Sequence, residues 1–327
     1  MKAIRMELPR LGYGCMGLSG SYGPATPEDG LKAIRHALDR GVTLFSTASF
    51  YGGGENEKLL GRALAGPTSA MVATKFGVRS DARGLPTVID GRPEYVRQAC
   101  DEALVRLGRD VIDLFILARV DPRVPIEQSI DAMAGLVSAG KVRGIGLSEA
   151  SAEMIVRAHA VHPLSVVETE YSLLDRHVEI KILPQLTRLG IALLAYSPLG
   201  RGFLSAAMPN ASAMSPRDLR QHAPRFQGSN LDANLKLLPS LCSLAQNKGA
   251  TPAQIALAWL LAKGAGVIPL PGSRSPSRID ENLAALQLRL NDAELAELDG
   301  AFVVGSVAGA RYPEALMAAI EADSPLP

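Results

Sequence analysis

Short apolar runs rich in β-branched residues alternate with amphipathic stretches from near the N-terminus to about residue 290. That rhythm constrains the chain tightly, because strands separated by a helix-length crossover pair in parallel. The helix with the clearest ends spans 27–40: Thr26 caps it, Pro27 takes the first helical position, Glu28 and Asp29 favour its positive end, and Gly41 stops it. A strand at 42–47 follows. The unit recurs as helix 56–65 before strand 71–75, helix 93–107 before strand 112–117, and helix 126–138 before strand 142–147. Helix 152–160 then precedes strand 165–169, helix 178–188 precedes strand 191–196, and helix 252–262 precedes strand 267–270. With a first strand near 11–16, the count reaches eight.

Eight βα units in one unbroken series predict an α/β fold of the closed type, a (β/α)8 TIM barrel forming a single domain over 1–327, with functional residues where strands run into the loops that follow them. The competing fold is a doubly wound open sheet. Against it, no G-x-G-x-x-G follows an early strand. The segment 200–233, after the seventh strand, is too long for an ordinary βα loop, and long loops at a barrel mouth are usually lids or binding segments.

Composition narrows the function classes. Hydrophobic residues make up 47% and charged residues 20% of 327, enough for a large core, and the formal net charge is +1 with acids and bases mixed. No basic stripe suited to a phosphate backbone results, so nucleic acid is not an expected partner. The first twelve residues carry Lys2, Arg5, Glu7 and Arg10 with no apolar run behind them, which predicts neither a signal peptide nor a spanning helix and a cytoplasmic protein. Cys15, Cys100 and Cys242 are odd in number and far apart, fitting neither a disulfide frame nor a zinc site. A small-molecule substrate is the expected partner, and nothing in the sequence indicates an oligomer.

The predicted strand ends carry Ser46, with Tyr51 shortly after, then Lys75, Ala118, Ser148 and Glu149, Glu168, and the run 196–202 that reads Tyr196, Ser197, Pro198, Leu199, Gly200, Arg201, Gly202. Three further segments stand out: Ala73 to Gly77, Gly140 to Ser151 (GKVRGIGLSEAS), and Ile268 to Arg274 (IPLPGSR) followed by Arg278, Glu281 and Asn282. Together and in this order, these segments resemble those of the aldo-keto reductases over nearly the whole chain. The resemblance implies a barrel that binds NADP(H) and reduces carbonyls with an Asp, a Tyr, a Lys and a His.

Two of those four groups are replaced. The segment 45–52 contains no carboxylate, so Ser46 stands where the Asp would be, and 116–119 contains no histidine, so Ala118 stands for the His. Tyr51 and Lys75 are kept. A cation beside a phenol favours the phenolate and makes Tyr a better proton donor to a carbonyl gaining charge. A neutral Ser46 cannot balance the Lys75 ammonium, which must lose protons more easily or find another carboxylate. Glu168 is the candidate. At its position the family usually has a Gln bonding the nicotinamide carboxamide, so Glu168 either pairs with Lys75 or accepts from the carboxamide NH2. Ser46, Ser49 and Ala118 are all small, which enlarges the pocket for a bulky substrate. Of the five histidines, His36, His159, His162, His177 and His222, only His222 in the long loop is placed to reach over the mouth.

The cofactor positions implied by the resemblance are better kept. They are Met16, Ser148, Glu149, Glu168, Tyr196, Ser197, Leu199, Gly200, Arg201, Gly202, Gly272, Ser273, Arg274, Arg278, Glu281 and Asn282. Tyr196 would stack on the nicotinamide, and the 197–202 turn would offer backbone donors to the pyrophosphate. Ser273, Arg274 and Arg278 would clamp the adenosine 2′-phosphate, favouring NADP over NAD. Trp259, among Leu257, Leu260 and Leu261, reads as packing. The expected function is an NADPH-dependent oxidoreductase with an altered site, acting on a bulky or specialised carbonyl, imine or enone with Tyr51 as proton donor. Two alternatives are a lyase, isomerase or cyclase using Glu168 or Tyr51 as acid or base, and a cofactor-binding protein without turnover.

Overall fold

The structure, a computed structural model, describes residues 6–66, 68–80, 86–208, 214–216, 218–317 and 320. Parts of the first twelve residues and of the long segment 200–233 therefore lie outside the described residues. Eight parallel strands form one sheet: β1 Tyr13–Gly14, β2 Leu44–Ala48, β3 Met71–Phe76, β4 Ile112–Leu117, β5 Val142–Ser148, β6 Val166–Glu170, β7 Ala192–Tyr196 and β8 Val267–Pro269. Neighbours in space are neighbours in sequence, with Ser46 level with Ala73, Lys75 with Ile116, and Ser148 with Glu168. The ends meet. Gly12 N donates to Pro269 O at 3.0 Å and Gly14 N to Pro271 O at 3.2 Å, closing the sheet into the expected barrel.

Glycine is required at this seam, because a Cβ on Gly272 would lie 2.2 Å from Gly14 O. The barrel interior is filled by Leu44, Ala73, Leu114, Ile116, Val166, Leu194, Ile268 and Leu270, a dry plug below the strand ends. A larger apolar shell packs the helices onto the outside of the sheet.

The best-signalled helices lie where expected: Pro93–Leu107, Ile126–Ser138 and Pro252–Ala262 have the predicted ends. Thr26 Oγ1 accepts from Asp29 N at 3.1 Å, and Thr251 with Gln254 forms a capping box. Two elements depart clearly from expectation, and one was not expected. The first strand shortens to two residues because Cys15 turns into a 3-10 helix at Met16–Ser19. The helix expected over 178–188 becomes a short turn, His177–Glu179, and a helix Ile182–Leu189; Pro184, which lacks an N–H, is accommodated in the first turn of the latter. A hairpin of Val78–Ser80 with Pro86–Ile89 follows β3 and was not legible in the sequence. The long segment after β7 contributes short turns at Gly200–Ser205, Leu219–His222 and Pro224–Phe226 and a helix Gly228–Leu235. Among the described residues no helix is long and apolar enough to cross a membrane.

Candidate active site

Lys75 sits near the end of β3, buried, and its ammonium finds three acceptors. Glu168 Oε1 lies 2.8 Å away, and Ser46 Oγ and Thr47 O each accept from Nζ at 2.9 Å. Ser46 Oγ in turn donates to Glu168 Oε2 at 2.9 Å, so hydroxyl, carboxylate and ammonium form a closed ring. Of the two readings open for Glu168, the structure bears the ion pair. β2 and β6 stand on opposite sides of the barrel mouth, and the ring joins them across its top.

Tyr51 opens the turn Tyr51–Gly54, where Gly52, Gly53 and Gly54 take φ values of +58, +63 and +94. This left-handed run bends the chain back onto the mouth and sets the phenol near Lys75, whose Nζ lies 5.2 Å from the ring centroid. The expectation that the cation lowers the phenol pKa is not met. Burial raises it well above the usual tyrosine value, and the negative charge of Glu168 raises it further, while Arg119 acts in the opposite direction. The physical reason is first burial, which penalises the phenolate, and second the carboxylate of Glu168, which stands close enough to Lys75 to pair with it. Tyr51 is therefore protonated across the neutral range, as a proton donor must be.

Ala118 is fully buried at the end of β4 and its N–H donates to Phe76 O at 2.8 Å. His222 is exposed on its turn, whereas His177, which the sequence gave no reason to single out, is buried with Nδ1 2.5 Å from Asp175 Oδ1. Among the described residues no cluster of His, Cys, Asp and Glu could hold a metal. The Cys15 thiol, on the loop beside β2, is pushed up to about 12, first by burial.

The cofactor positions fall into two groups. Ser148 ends β5 and Glu149 follows it at φ +53. The Glu149 carboxylate accepts from Thr169 Oγ1 at 2.7 Å and Glu170 N at 3.0 Å and pairs with Arg311 Nη2 at 2.9 Å. Burial pushes its pKa up, yet Arg311 and Arg119 more than offset that and hold it down to about 2. Tyr196 ends β7 with its hydroxyl 2.9 Å from that of Tyr312. Beyond it, Ser197, Gly200, Arg201 and Gly202 take φ of +49, +54, +57 and +95. Gly200 N donates to Ser197 O at 2.8 Å and Gly202 N to Leu199 O at 2.9 Å, so the turn holds its shape through its own bonds. Met16 starts the short helix after β1.

The second group gathers around the helix Pro276–Ala284. Gly272 presses on Gly14, and Ser273 O accepts from Tyr13 OH at 2.5 Å. Arg274 reaches to the carbonyls of Tyr22 and Gly23 at 3.3 Å and also bonds Pro24 O. Arg278 is exposed, Glu281 is half-buried and Asn282 is buried. Trp259 packs in the core as expected, donating to Asp299 Oδ1 at 2.9 Å.

Several residues of the mouth escaped the sequence reading. Glu170 lies 3.5 Å from Arg201 and 3.8 Å from Arg225, and Asp175 lies 3.1 Å from Arg225 and 3.5 Å from Arg311. Burial raises the Glu170 pKa, whereas Asp175, despite burial, is held low by His177 and the neighbouring guanidiniums. Arg201 covers the ring of Tyr312 at 4.4 Å. Arg311 and Tyr312 come from beyond the last barrel helices, where no periodicity marks them; the only signal was two large polar side chains in a small-residue segment.

The model of the aldo/keto reductase family matches residues 10–302. A soybean (Glycine max) protein named "Probable aldo-keto reductase 1" is 44% identical over 310 residues, covering 94% of this chain and 89% of its own. Among solved structures, the glycerol dehydrogenase of Gluconobacter oxydans superposes with a TM-score of 0.84 at 29% identity, covering 96% of this chain and 97% of that one. An aldo-keto reductase from Klebsiella pneumoniae, solved in complex with NADPH, gives 0.71 at 22% identity over 98% of this chain and 95% of that one, a likeness that carries the fold.

Proposed function

The chain belongs to the aldo/keto reductase family, and from that premise we propose that it is an NADP(H)-dependent oxidoreductase in which Tyr51 protonates a bulky or specialised carbonyl, imine or enone. The observation that carries this reading is the closed ring of Lys75, Glu168 and Ser46 beside Tyr51. A buried ammonium without a counter-charge would cost several kcal/mol, and this chain keeps the lysine by supplying the carboxylate from β6 instead of β2.

The residues that the family resemblance assigns to the dinucleotide lie at the ends of β5, β6 and β7 and around the helix Pro276–Ala284. The left-handed turn after Tyr196 is held rigid by its own bonds, and Arg274 with Arg278 brings two guanidiniums suited to a phosphate to the start of the helix Pro276–Ala284. When bound, the nicotinamide supplies the hydride. The chain's own residues do the rest. Tyr51, held protonated by burial, donates its proton to the substrate oxygen or nitrogen as charge develops there. Lys75 and Glu168 form a fixed, neutral pair that holds the floor of the pocket rigid beneath the reacting atoms. The small side chains of Ser46, Ser49 and Ala118 leave room where larger ones would stand.

The test is loss of reduced-nicotinamide absorbance with the purified full-length protein across a panel of aldehydes, ketones, imines and enones, run beside Tyr51→Phe. Y51F should lower turnover by at least about 100-fold while NADPH binding, followed by fluorescence, stays within about twofold. Turnover by Y51F equal to that of the parent would remove Tyr51 from the reaction.

A further inference from the structure

The mouth of the barrel carries an imbalance of charge. Lys75 pairs with Glu168, Arg311 with Glu149, Arg201 with Glu170 and Arg225 with Asp175, all within 4.0 Å. Arg119 has no carboxylate within that distance among the described residues. Its one hydrogen bond there runs from Nη1 to Ala118 O at 2.6 Å, which folds the guanidinium back over the end of β4. The register places it. Leu117, level with Leu147, ends β4, and Arg119 follows two residues beyond it, next to Ala118 and close enough to Glu149 for its charge to act there. Glu149, however, is already engaged by Arg311, by Thr169 Oγ1 and by the backbone N–H of Glu170. Arg119 also counts among the charges acting on the Tyr51 phenol, so it faces the catalytic end of the pocket and not the outer helices.

A half-buried guanidinium with most of its fork unused, in a site where the other cations are paired, is a receptor for a planar anion. We propose that Arg119 is the anion-recognition residue of this pocket, and that the substrate is a carbonyl compound bearing a carboxylate or phosphate group, docked on Arg119 with its carbonyl at Tyr51. The inference rests on the reductase reading for the reaction but not for the binding. Ala118, with no group of its own to bond a substrate, then stands beside the cation that orients the anionic arm.

Calorimetry on the full-length protein separates the two. Benzoate and phenyl phosphate are titrated against benzamide, with Arg119→Gln and Arg119→Lys in parallel. One of the two anions should bind at least about tenfold tighter than benzamide; R119Q should lose about 10- to 100-fold of that affinity and R119K less, with benzamide unchanged. The anion that binds tighter identifies the group. Equal affinity for anions and benzamide, or anion binding indifferent to R119Q, would overturn the proposal. A matched kinetic pair, 4-carboxybenzaldehyde and its methyl ester, completes it: R119Q should raise KM for the acid alone. Arginine-dependent anion binding with no NADPH oxidation on any carbonyl would leave this inference standing and sink the reductase reading.

Discussion

Replacing Glu168 with Gln should be among the costliest single changes the fold can suffer. Glu168 Oε1 lies 2.8 Å from Lys75 Nζ, and neither side chain is more than 5% exposed. At an effective dielectric of about 20, unit charges at that separation attract by about 6 kcal/mol. The glutamine keeps the shape and a carbonyl acceptor but leaves the ammonium buried, with Ser46 Oγ and Thr47 O as its other acceptors. A net loss of about 3–5 kcal/mol follows. Lys75→Met strands the carboxylate instead and should cost a similar amount. Removing both charges together, however, leaves neither partner stranded, so the double variant should be less destabilised than the sum of the singles by about 3 kcal/mol. Urea unfolding of the four proteins measures this coupling. Additivity within about 0.5 kcal/mol would refute the pairing. Should E168Q fail to fold, recovery of folded protein in Lys75→Met with Glu168→Leu, under the same expression conditions, reads the same coupling qualitatively.

Two more predictions follow from the charges around the mouth. Restoring the residues expected from the family, Ser46→Asp with Ala118→His, should fail by itself, because Ser46 Oγ lies 2.9 Å from Glu168 Oε2 and a carboxylate there would face another. Adding Glu168→Gln should relieve the clash and raise reduction of simple aldehydes by at least about tenfold over the double variant; equal rates would show that Glu168 is not the obstacle. Glu149→Gln tests the network above the ring. Because the folded carboxyl is held down to about 2 against 4.5 for the free group, its contribution is present above the unfolded value and lost as pH falls toward the folded one. The parent should therefore lead E149Q by about 3 kcal/mol at neutral pH, with the gap closing between about pH 4.5 and 2. A gap independent of pH over that range would mean that the charge of Glu149 is not what Arg311 stabilises.

What the sequence made legible depended on how local the signal was. Helices bounded by Pro93 or by Thr251 and Pro252, and stopped by glycine or a tight turn, had their ends written in the chain and lie where expected. The barrel itself was legible because its strand order is the sequence order. Contacts between distant segments were not. Glu168 could be nominated as a partner for Lys75, but only the closure of the barrel sets β6 across from β2 and turns the nomination into a distance. The pKa direction of Tyr51 differs from expectation for the same reason, since the burial that raises it, with the carboxylate of Glu168 adding to it, comes from segments distant in the sequence. Arg311 and Tyr312 are an extreme case: they reach the mouth from 162 and 116 residues beyond Glu149 and Tyr196. Their segment is tied down by Asn234, which bonds Ala308 through both its amide nitrogen and its oxygen.

These contacts bear on positions 46, 118 and 168, where the resemblance implies other residues, and on the proposal that the pocket takes a specialised substrate. A decaying site loses groups one at a time, and each loss leaves a partner exposed to its full desolvation cost. Here β6 supplies a carboxylate to Lys75, Ser46 on β2 bridges the pair, and Lys75 is bonded to three acceptors. The other buried carboxylates of the mouth, Glu149, Glu170 and Asp175, each face a guanidinium. Only the change at 118 has no such compensation within the chain, and it is there that an unpaired cation, Arg119, stands one residue away. Among the described residues of the mouth, carboxylates that each face a cation, together with a guanidinium at Arg119 that has no carboxylate within 4.0 Å, are what the proposed anionic substrate requires.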